Sequence, residues 1–448
     1  MGKELFGTDG IRGVAGQYPL DEPTVYAFGA ALGDDARKLA AETTAEILIG
    51  ADTRESSPWL AETVAGGLAS RGLNVRYAGV ITTPGVAWLT RTGPFVAGVM
   101  ISASHNPYQD NGLKVFGHSG FKLPDSDEDA IEQEIFALLK RGIKPARVAI
   151  SADDGLARQY LDYLASTVVT RFDGMRLVID CGNGASCKLA PELFRRLGAT
   201  VCAIGAEPDG RNINLGCGAL HVEKLAEMVV SDGADFGVAF DGDADRAIFV
   251  SSSGKIINGD GVLLAAGRAM KTAGRLPGDT VVSTVMSNLG LQKALEREGI
   301  RMLRTQVGDK YVLEEMERIG ARLGGEQSGH VIFRDYATTG DGMLTALRIF
   351  ELAVETGKGL DELTAGLAIY PQKLINIKVR EKRPFDGMPQ VASEIRSVER
   401  ELDADGRVLV RYSGTELLAR VMVEASDNAR VEAGAGRIAE AIRREIGV

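Results

Sequence analysis

The sequence predicts an α/β protein with three related domains and a smaller C-terminal α+β domain. Its 448 residues exceed one compact core and correspond to roughly two to four domains. A unit of apolar strand, amphipathic helix, glycine and second strand occurs three times, in segments 47–77, 177–204 and 281–303. Since parallel strands need a helical crossover, this order predicts parallel or mixed sheets.

Each copy contains the same elements in the same order. The helices are expected at 60–69, 189–197 and 289–297, and Gly72, Gly198 and Gly299 stand at or just beyond their ends. After the third copy the pattern changes to strands at 374–379, 408–411 and 419–423 and a helix at 430–446. Strands grouped in this way with one terminal helix predict an α+β domain. The predicted domains are 1–154, 155–257, 258–370 and 371–448.

Composition narrows the class of protein and its partners. With 61 acidic and 51 basic residues the formal charge is −10, which does not attract nucleic acid. The chain contains neither a signal-peptide pattern nor a long apolar run, so a cytoplasmic protein without a membrane partner is expected. The four cysteines lack paired C-x-x-C spacing and are expected to be reduced thiols, not zinc ligands. A homodimer is the default expectation.

A serine-rich loop follows the apolar strand at 96–101. It contains Ser102, Ser104, His105 and an Asn-Pro pair, and Lys114 follows ten residues after Ser104. A hydroxyl at the end of a strand is accessible for nucleophilic chemistry, and Lys114 is a candidate phosphate-binding cation or proton acceptor. A plain hydrogen-bonded turn remains an alternative interpretation of Ser-His.

A second loop, Asp241-Gly-Asp-Ala-Asp245, follows the apolar strand at 236–239. Three alternating carboxylates beside apolar strands would repel one another without a cation, and oxygen ligands suit Mg²⁺. An EF-hand calcium loop is excluded because Arg246 and Ser252 occupy its sixth and twelfth positions. The loop therefore predicts a magnesium site.

Three further loops contain polar residues suited to binding. Loop 324–330 contains Glu326, Ser328 and His330, which suit sugar hydroxyls; loop 411–416, with Arg420 beyond it, suits a phosphate dianion. Loop 7–13 is rich in glycine and directs Arg12 towards an anion. Ordinary polar turns and surface ion pairs are the alternatives for each.

Taken together, these five loops resemble those of the α-D-phosphohexomutase family, and the resemblance covers the whole chain. The quoted motifs are Gly-Thr-Asp-Gly-Ile-Arg-Gly, Ile-Ser-Ala-Ser-His-Asn-Pro and Gly-Glu-Gln-Ser-Gly-His, with Asp110-Asn111-Gly112. They are most similar to those of bacterial members that act on glucosamine phosphate. The departures are Leu417, where Pro is common, and Ala244 in place of a frequent Gly. The resemblance implies three α/β domains and a smaller fourth around a central cleft.

The resemblance also implies a role for each site residue. Ser104, rather than Ser102, would carry the phosphoryl group and would bind Mg²⁺, one ion per chain, together with Asp241, Asp243 and Asp245. Arg12, Lys114 and Arg246 would surround the transferring group, and His330 or Lys114 would transfer protons. Glu326 and Ser328 would bind sugar hydroxyls. The residues expected to bind the second phosphate are Arg411, Ser413, Gly414, Thr415 and Arg420.

The implied reaction interconverts glucosamine 6-phosphate and glucosamine 1-phosphate through a sugar 1,6-bisphosphate, which also serves as activator, and supplies UDP-N-acetylglucosamine synthesis. The four domains would carry the phosphoserine, metal, sugar-binding and phosphate-binding loops in turn. A phosphomannomutase or phosphoglucomutase with the same mechanism is the nearest alternative. Two others are an inactive sugar-phosphate sensor and a nucleotide-binding module around Gly182 and Gly184, although Cys187 replaces the third glycine of that motif.

Overall fold

The computed structural model describes residues 4–39, 46–413 and 416–448, and these residues form two compact units. The first unit contains the described residues up to Thr284 together with Thr305–Ala365. The second contains Val285–Arg304 and the described residues from Gly366 to Val448. Within the described ranges, no helix is long and apolar enough to cross a membrane.

The first domain is built on a six-stranded sheet with strand order β1-β2-β6-β5-β3-β4. Its elements are β1 (Phe6–Gly7), β2 (Gly10–Val14), α1 (Glu22–Leu39), β3 (Glu46–Ala51), α2 (Ser57–Ala69), β4 (Asn74–Val80), α3 (Thr83–Thr92), β5 (Phe95–Ile101), β6 (Asp110–Gly117) and α4 (Asp125–Lys140). Strand β3 is parallel to β4 and β5, whereas β6 is antiparallel to β2 and β5. An apolar core packs α1, α2 and α4 against the sheet.

The second domain contains a five-stranded sheet in the order β11-β10-β9-β7-β8. Its elements are α5 (Asp154–Ser166), β7 (Arg176–Asp180), α6 (Leu189–Arg196), β8 (Thr200–Ile204), α7 (Glu223–Ser231), β9 (Phe236–Phe240), β10 (Ala247–Ser251) and β11 (Ile256–Ile257). Strand β7 lies between its parallel neighbours β8 and β9. The chain adds β8 on one side of β7 and β9 on the other, so the order of the strands reverses between β7 and β9. Ligands of α/β sheets bind at such positions.

The next segment completes the first unit and contributes to the second. Its elements are α8 (Gly259–Thr272), a 3₁₀ turn (Pro277–Asp279), β12 (Thr280–Thr284), α9 (Leu289–Arg297), β13 (Arg301–Thr305), α10 (Asp309–Ile319), β14 (Leu323–Gly325), β15 (Val331–Phe333), α11 (Gly342–Thr356) and α12 (Leu360–Leu363). Within the first unit, β14 is parallel to β12 and antiparallel to β15. Asp341 accepts a hydrogen bond from the Leu344 N–H at 2.9 Å and so caps α11.

The second unit is an antiparallel sheet covered by helices. Its remaining elements are β16 (Gln372–Lys378), a 3₁₀ turn (Phe385–Gly387), α13 (Pro389–Leu402), a 3₁₀ turn (Asp403–Asp405), β17 (Gly406–Tyr412), β18 (Leu418–Ala425) and α14 (Asn428–Ile446). The strand order is β16-β18-β17, and α13 and α14 supply the other half of the apolar core. The α9 segment belongs to this unit, since Leu289 N–H donates to buried Glu424 at 2.9 Å and Arg407 donates to the Val285 carbonyl at 2.9 Å.

The predicted architecture of three α/β domains and a smaller C-terminal domain is confirmed. The strands and helices expected from the three repeated units are all present, as are the three strands and the terminal helix of the last domain. The strands of the first two sheets that precede the chemical loops, β5 and β9, end within two residues of Ser102 and Asp241.

Candidate active site

The loop after β5 places Ser104 inside the first unit. Its side chain is buried, and Oγ donates a hydrogen bond to Oδ2 of Asp241 at 2.6 Å. Nδ1 of His105 lies 3.2 Å from the same hydroxyl. Burial and the nearby guanidinium groups lower the pKa of His105 to about 4, so its ring is neutral. The Ser-His pair therefore lies in a turn in which Ser104 is buried and His105 is half-buried.

The backbone of Ser104 adopts a left-handed conformation with φ of 53°, which is uncommon for a serine. Its carbonyl oxygen accepts hydrogen bonds from Nη2 of Arg54 at 3.1 Å and from Nδ2 of Asn214 at 3.0 Å. Arg54 is fully buried and ion-paired with Asp52. A side chain at position 242 would lie 2.4 Å from the Ser104 carbonyl, so Gly242 permits this approach. The sequence did not reveal these supports, because they come from distant segments.

The carboxylates of Asp241, Asp243 and Asp245 converge in the loop after β9. One oxygen from each lies within 4.8 Å of the others, and all three residues are buried. Oδ2 of Asp243 accepts hydrogen bonds from Thr83 at 2.6 Å and from Lys114 at 2.8 Å. Ala244 adopts a left-handed φ of 55°, a conformation that glycine adopts with less strain.

The charges of the triad fit a hard divalent cation. Burial and the neighbouring carboxylates of Asp245 and Asp243 raise the pKa of Asp241 to about 8. Burial also opposes ionisation of Asp243, but the Lys114 ammonium and the Thr83 hydrogen bond outweigh it and lower that pKa. Two buried oxygens, Oδ1 of Asp243 and Oδ1 of Asp245, accept no hydrogen bond from any residue that the structure describes. Hard oxygen donors with unused lone pairs are the ligands that Mg²⁺ prefers, and this triad could bind a metal ion.

Two cations lie beside the triad and share one carboxylate. Lys114, on β6, is buried and lies 3.1 Å from Oδ2 of Asp9. Arg12 on β2 pairs with the same oxygen and also donates to the Ala103 carbonyl at 3.3 Å. Burial would lower the pKa of Lys114, but Asp243 and Asp9 outweigh it and raise the pKa above its usual value. This environment favours a phosphate-binding ammonium over the proton acceptor also predicted for Lys114.

Arg246 and His330 connect the metal loop to the loop at 324–330. Their backbones form an antiparallel bridge, and Arg246 N–H donates to Oδ1 of Asp241 at 3.1 Å. Nδ1 of His330 lies 3.5 Å from Asp245, whereas Nε2 accepts a hydrogen bond from Gly340 N–H at 3.0 Å. Burial lowers the pKa of His330, but Asp245 and Asp309 raise it to about 9 overall. The Gly340 contact favours the neutral ring, so the two influences on this imidazole are opposed.

The loop between β14 and β15 presents the two predicted sugar-binding residues. Glu326 is half-buried, and its Oε1 accepts a hydrogen bond from Gly308 N–H at 3.2 Å. Ser328 is exposed, whereas His330 is buried. The loop is held by hydrogen bonds from Glu326 N–H to the His330 carbonyl at 2.8 Å and from Ala247 N–H to the Gly329 carbonyl at 3.1 Å.

The predicted phosphate-binding residues of the last domain lie in the second unit. Arg411 on β17 is directly opposite Arg420 on β18. Burial and the charge of Arg420 lower the pKa of Arg411. Ser413 is buried and its carbonyl accepts a hydrogen bond from Lys382 at 2.7 Å. Gly414 and Thr415 fall outside the described residues.

The glycine loop after β7 has a structural role. Asp180 accepts hydrogen bonds from Gly182 N–H at 2.9 Å and Gly218 N–H at 2.8 Å, and Gly184 contacts the backbone of Gly242 too closely for any side chain. The backbone groups that a dinucleotide would need are thus used within the fold. The cysteines are free thiols, of which Cys181 and Cys187 are buried.

Comparison with known families gives matches along the whole chain. Four models described as phosphoglucomutase/phosphomannomutase alpha/beta/alpha domains I, II and III and C-terminal domain match residues 3–141, 158–254, 258–370 and 374–441. The phosphoglucosamine mutase of Solibacter usitatus is 68% identical over 100% of both chains. The phosphoglucosamine mutase of Koribacter versatilis is 53% identical over 100% of this chain and 98% of its own.

Solved structures show the same fold at low identity. A phosphoglucomutase/phosphomannomutase family protein from Burkholderia thailandensis has a TM-score of 0.81 at 22% identity, with 99% of both chains covered. Aspergillus fumigatus N-acetylphosphoglucosamine mutase, in complex with GlcNAc-6P and magnesium, has a TM-score of 0.64 at 17% identity, with 98% of this chain and 96% of its own covered. The four matched domains follow one another along the chain in the order I, II, III and C-terminal domain. The chain therefore belongs to the phosphoglucomutase/phosphomannomutase family, the α-D-phosphohexomutases.

Proposed function

We propose that this chain interconverts glucosamine 6-phosphate and glucosamine 1-phosphate through a phosphorylated Ser104. The observation that carries the proposal is the 2.6 Å hydrogen bond from the Ser104 hydroxyl to Asp241, within a buried triad of carboxylates. A nucleophile beside a divalent-cation site and two cations is the arrangement that phosphoryl transfer requires. Relatives named phosphoglucosamine mutase, at 68% and 53% identity, support glucosamine phosphate as substrate.

Asp241, Asp243 and Asp245 would hold Mg²⁺ together with an oxygen on Ser104. When bound, the ion would neutralise negative charge that develops on the phosphoryl oxygens. Arg12, Lys114 and Arg246 supply further positive charge. Because Lys114 is held as an ammonium by Asp243 and Asp9, it stabilises charge without exchanging its proton.

In the forward direction the bond from Ser104 Oγ to phosphorus breaks, and a bond from phosphorus to O1 of glucosamine 6-phosphate forms. The O1 proton leaves to a base, for which we propose Nδ1 of His330, because Nε2 already accepts a hydrogen bond from Gly340 N–H. The resulting 1,6-bisphosphate reorients so that its O6 phosphoryl group faces Ser104. The bond from O6 to phosphorus then breaks and a bond from phosphorus to Ser104 Oγ forms. O6 takes up the proton held by the base, and glucosamine 1-phosphate leaves. Glu326 and Ser328 bind sugar hydroxyls, whereas Arg411, Ser413, Gly414, Thr415 and Arg420 bind the phosphate that is not transferred.

The test is Mg²⁺-dependent turnover of glucosamine 6-phosphate, glucose 6-phosphate and mannose 6-phosphate side by side, primed with sugar 1,6-bisphosphate. Ser104→Ala should abolish turnover and the gain of one phosphoryl mass, whereas Ser102→Ala should still be phosphorylated. The highest kcat/KM for glucosamine 6-phosphate is expected. A preference for glucose or mannose phosphate would refute glucosamine phosphate as the substrate but would not affect the proposed phosphoserine mechanism. Absence of turnover with all three sugars would favour an inactive sugar-phosphate sensor.

A further inference from the structure

Lys122 and Asp309 form a partly enclosed ion pair that none of the five predicted loops contains. Nζ of Lys122 donates hydrogen bonds to Oδ2 of Asp309 at 2.6 Å and to Oδ1 of Asp9 at 2.5 Å. The two side chains are 18% and 17% exposed. Lys122 lies beyond β6 in the first domain, and Asp309 begins α10, so the pair joins separate segments of the first unit.

On one side the pair reaches the cations proposed to bind the transferring group. Asp9 accepts from Lys122 through Oδ1, and its other oxygen, Oδ2, contacts Lys114 at 3.1 Å and Arg12. One carboxylate thus sets the positions of three cations. If Lys122 were absent, Oδ1 of Asp9 would lose the contact that fixes it, and the carboxylate would be free to turn towards Lys114 and Arg12.

On the other side the pair reaches the proposed sugar-binding loop. Gly308, immediately before Asp309, donates its N–H to Oε1 of Glu326 at 3.2 Å. Nε2 of His330 lies 3.8 Å from Oδ2 of Asp309. A shift of Asp309 would therefore move the start of α10 and, through Gly308, the carboxylate of Glu326.

We propose that Lys122 and Asp309 are positioning residues that hold the phosphoryl-binding cations and the sugar-binding loop in one relative geometry during transfer. The inference rests on the proposed function and concerns residues to which no role has been given. Neither residue takes part in bond making. Breaking one partner of an enclosed pair leaves an uncompensated charge, whereas removing both does not, so the two residues should act as a unit.

The experiment compares Lys122→Met, Asp309→Asn and the double variant, with Lys122→Arg as the conservative change. Each single variant should lower kcat by about 10²-fold, as expected for a small misplacement of reacting groups. The change in KM should be smaller and alike for glucosamine 6-phosphate and glucose 6-phosphate. The double variant should lose less than the product of the two single losses, and Lys122→Arg should retain most activity.

The chain offers a matched control on the same segments. Lys310, the residue after Asp309, pairs with Asp125 at 2.7 Å, and Asp125 follows Lys122 by three residues. Lys310→Met should leave kcat near that of the wild type. A loss equal to that of Lys122→Met would reduce the pair to general structural support and overturn the inference.

Two other outcomes would also overturn it. Multiplicative losses in the double variant would show that the residues act independently. An increase in KM for glucosamine 6-phosphate alone, with kcat unchanged in Asp309→Asn, would show that Asp309 contacts the substrate directly. If the wild type turns over no sugar phosphate, the proposed function fails. The same variants are then compared for phosphoryl transfer from glucose 1,6-bisphosphate to Ser104, measured by intact mass. Equal transfer in all variants would refute the positioning role.

Discussion

Nη2 of Arg54 donates a 3.1 Å hydrogen bond to the carbonyl oxygen of Ser104, whose φ is 53°. The left-handed backbone costs about 1–2 kcal/mol for a residue with a side chain. Arg54 also donates to the Asn106 carbonyl at 2.6 Å, and Asn214 contacts the same two carbonyls from the second domain. The hydroxyl of Ser104 therefore points towards Asp241 because two distant side chains hold its backbone.

Arg54→Met is expected to lower the free energy of unfolding by about 3–5 kcal/mol, since Asp52 would remain buried without its cation. Asn214→Ala removes two hydrogen bonds and should cost about 1–3 kcal/mol, yet lower kcat clearly. Urea unfolding and steady-state kinetics on both variants measure this. If Asn214→Ala kept full activity, the Ser104 conformation would not depend on that contact.

Mg²⁺ should stabilise the protein more at pH 8 than at pH 6. Burial and the neighbouring carboxylates raise the pKa of Asp241 to about 8, above the usual 3.8, so the metal-free fold loses stability as pH rises from about 4 to about 8. A bound cation would remove that penalty. Thermal unfolding with Mg²⁺ and with a chelator at both pH values measures the difference. A shift that is the same at both pH values would contradict the prediction.

Arg411→Gln should raise KM strongly while it slightly stabilises the second unit. Arg411 and Arg420 are cross-strand neighbours, and like charges in that position destabilise a sheet by roughly 0.2–1 kcal/mol. Arg407 on the same strand instead pairs with buried Glu424, so Arg407→Gln should lower stability. Thermal unfolding and KM for both variants separate the two effects. An Arg411→Gln variant with unaltered KM would remove this residue from the phosphate site.

Asp341 should make stability decrease between about pH 4 and pH 6. Burial raises its pKa to about 6 despite hydrogen bonds from Leu344 N–H and from the Tyr160 hydroxyl at 2.6 Å. The folded state binds the proton more tightly than the unfolded state, so stability present below pH 4 is lost as pH rises to about 6. A shift of this size corresponds to roughly 3 kcal/mol.

The measurement is the difference in unfolding free energy between wild type and Asp341→Asn, determined at about pH 4.5 and again at about pH 6.5. The difference should change between the two pH values, because only the wild type titrates there. Tyr160→Phe removes a hydrogen bond to the carboxylate and should shift the window upwards. Parallel pH profiles for wild type and Asp341→Asn would refute the assignment.

The repeated strand-helix-strand order and the alternating carboxylates could be recognised in the sequence because they are local. Strand β6 and the contacts of Asp9 could not be recognised in the sequence, because they depend on residues far apart in the chain. Lys114 was expected near the Ser104 loop as a phosphate-binding cation or a proton acceptor. Its position depends on Asp9, more than a hundred residues away, and on Asp243 in another domain, and neither contact could be read from the sequence. Short antiparallel strands such as β15 have too few residues for an alternating pattern, and their pairing is decided by the sheet that they join.

Residues 285–304 fold with the C-terminal segment, and this has a consequence for recombination between homologues. Glu424 is buried and accepts from Leu289 N–H, while Arg407 donates to carbonyls of Val285 and Ser287. A chimaera joined near residue 370 would pair one parent's α9 segment with the other parent's sheet. Exchange of C-terminal segments should therefore succeed when residues 285–304 and the C-terminal segment come from the same parent. Segments that pack together, and not only segments that are adjacent in sequence, must be exchanged together.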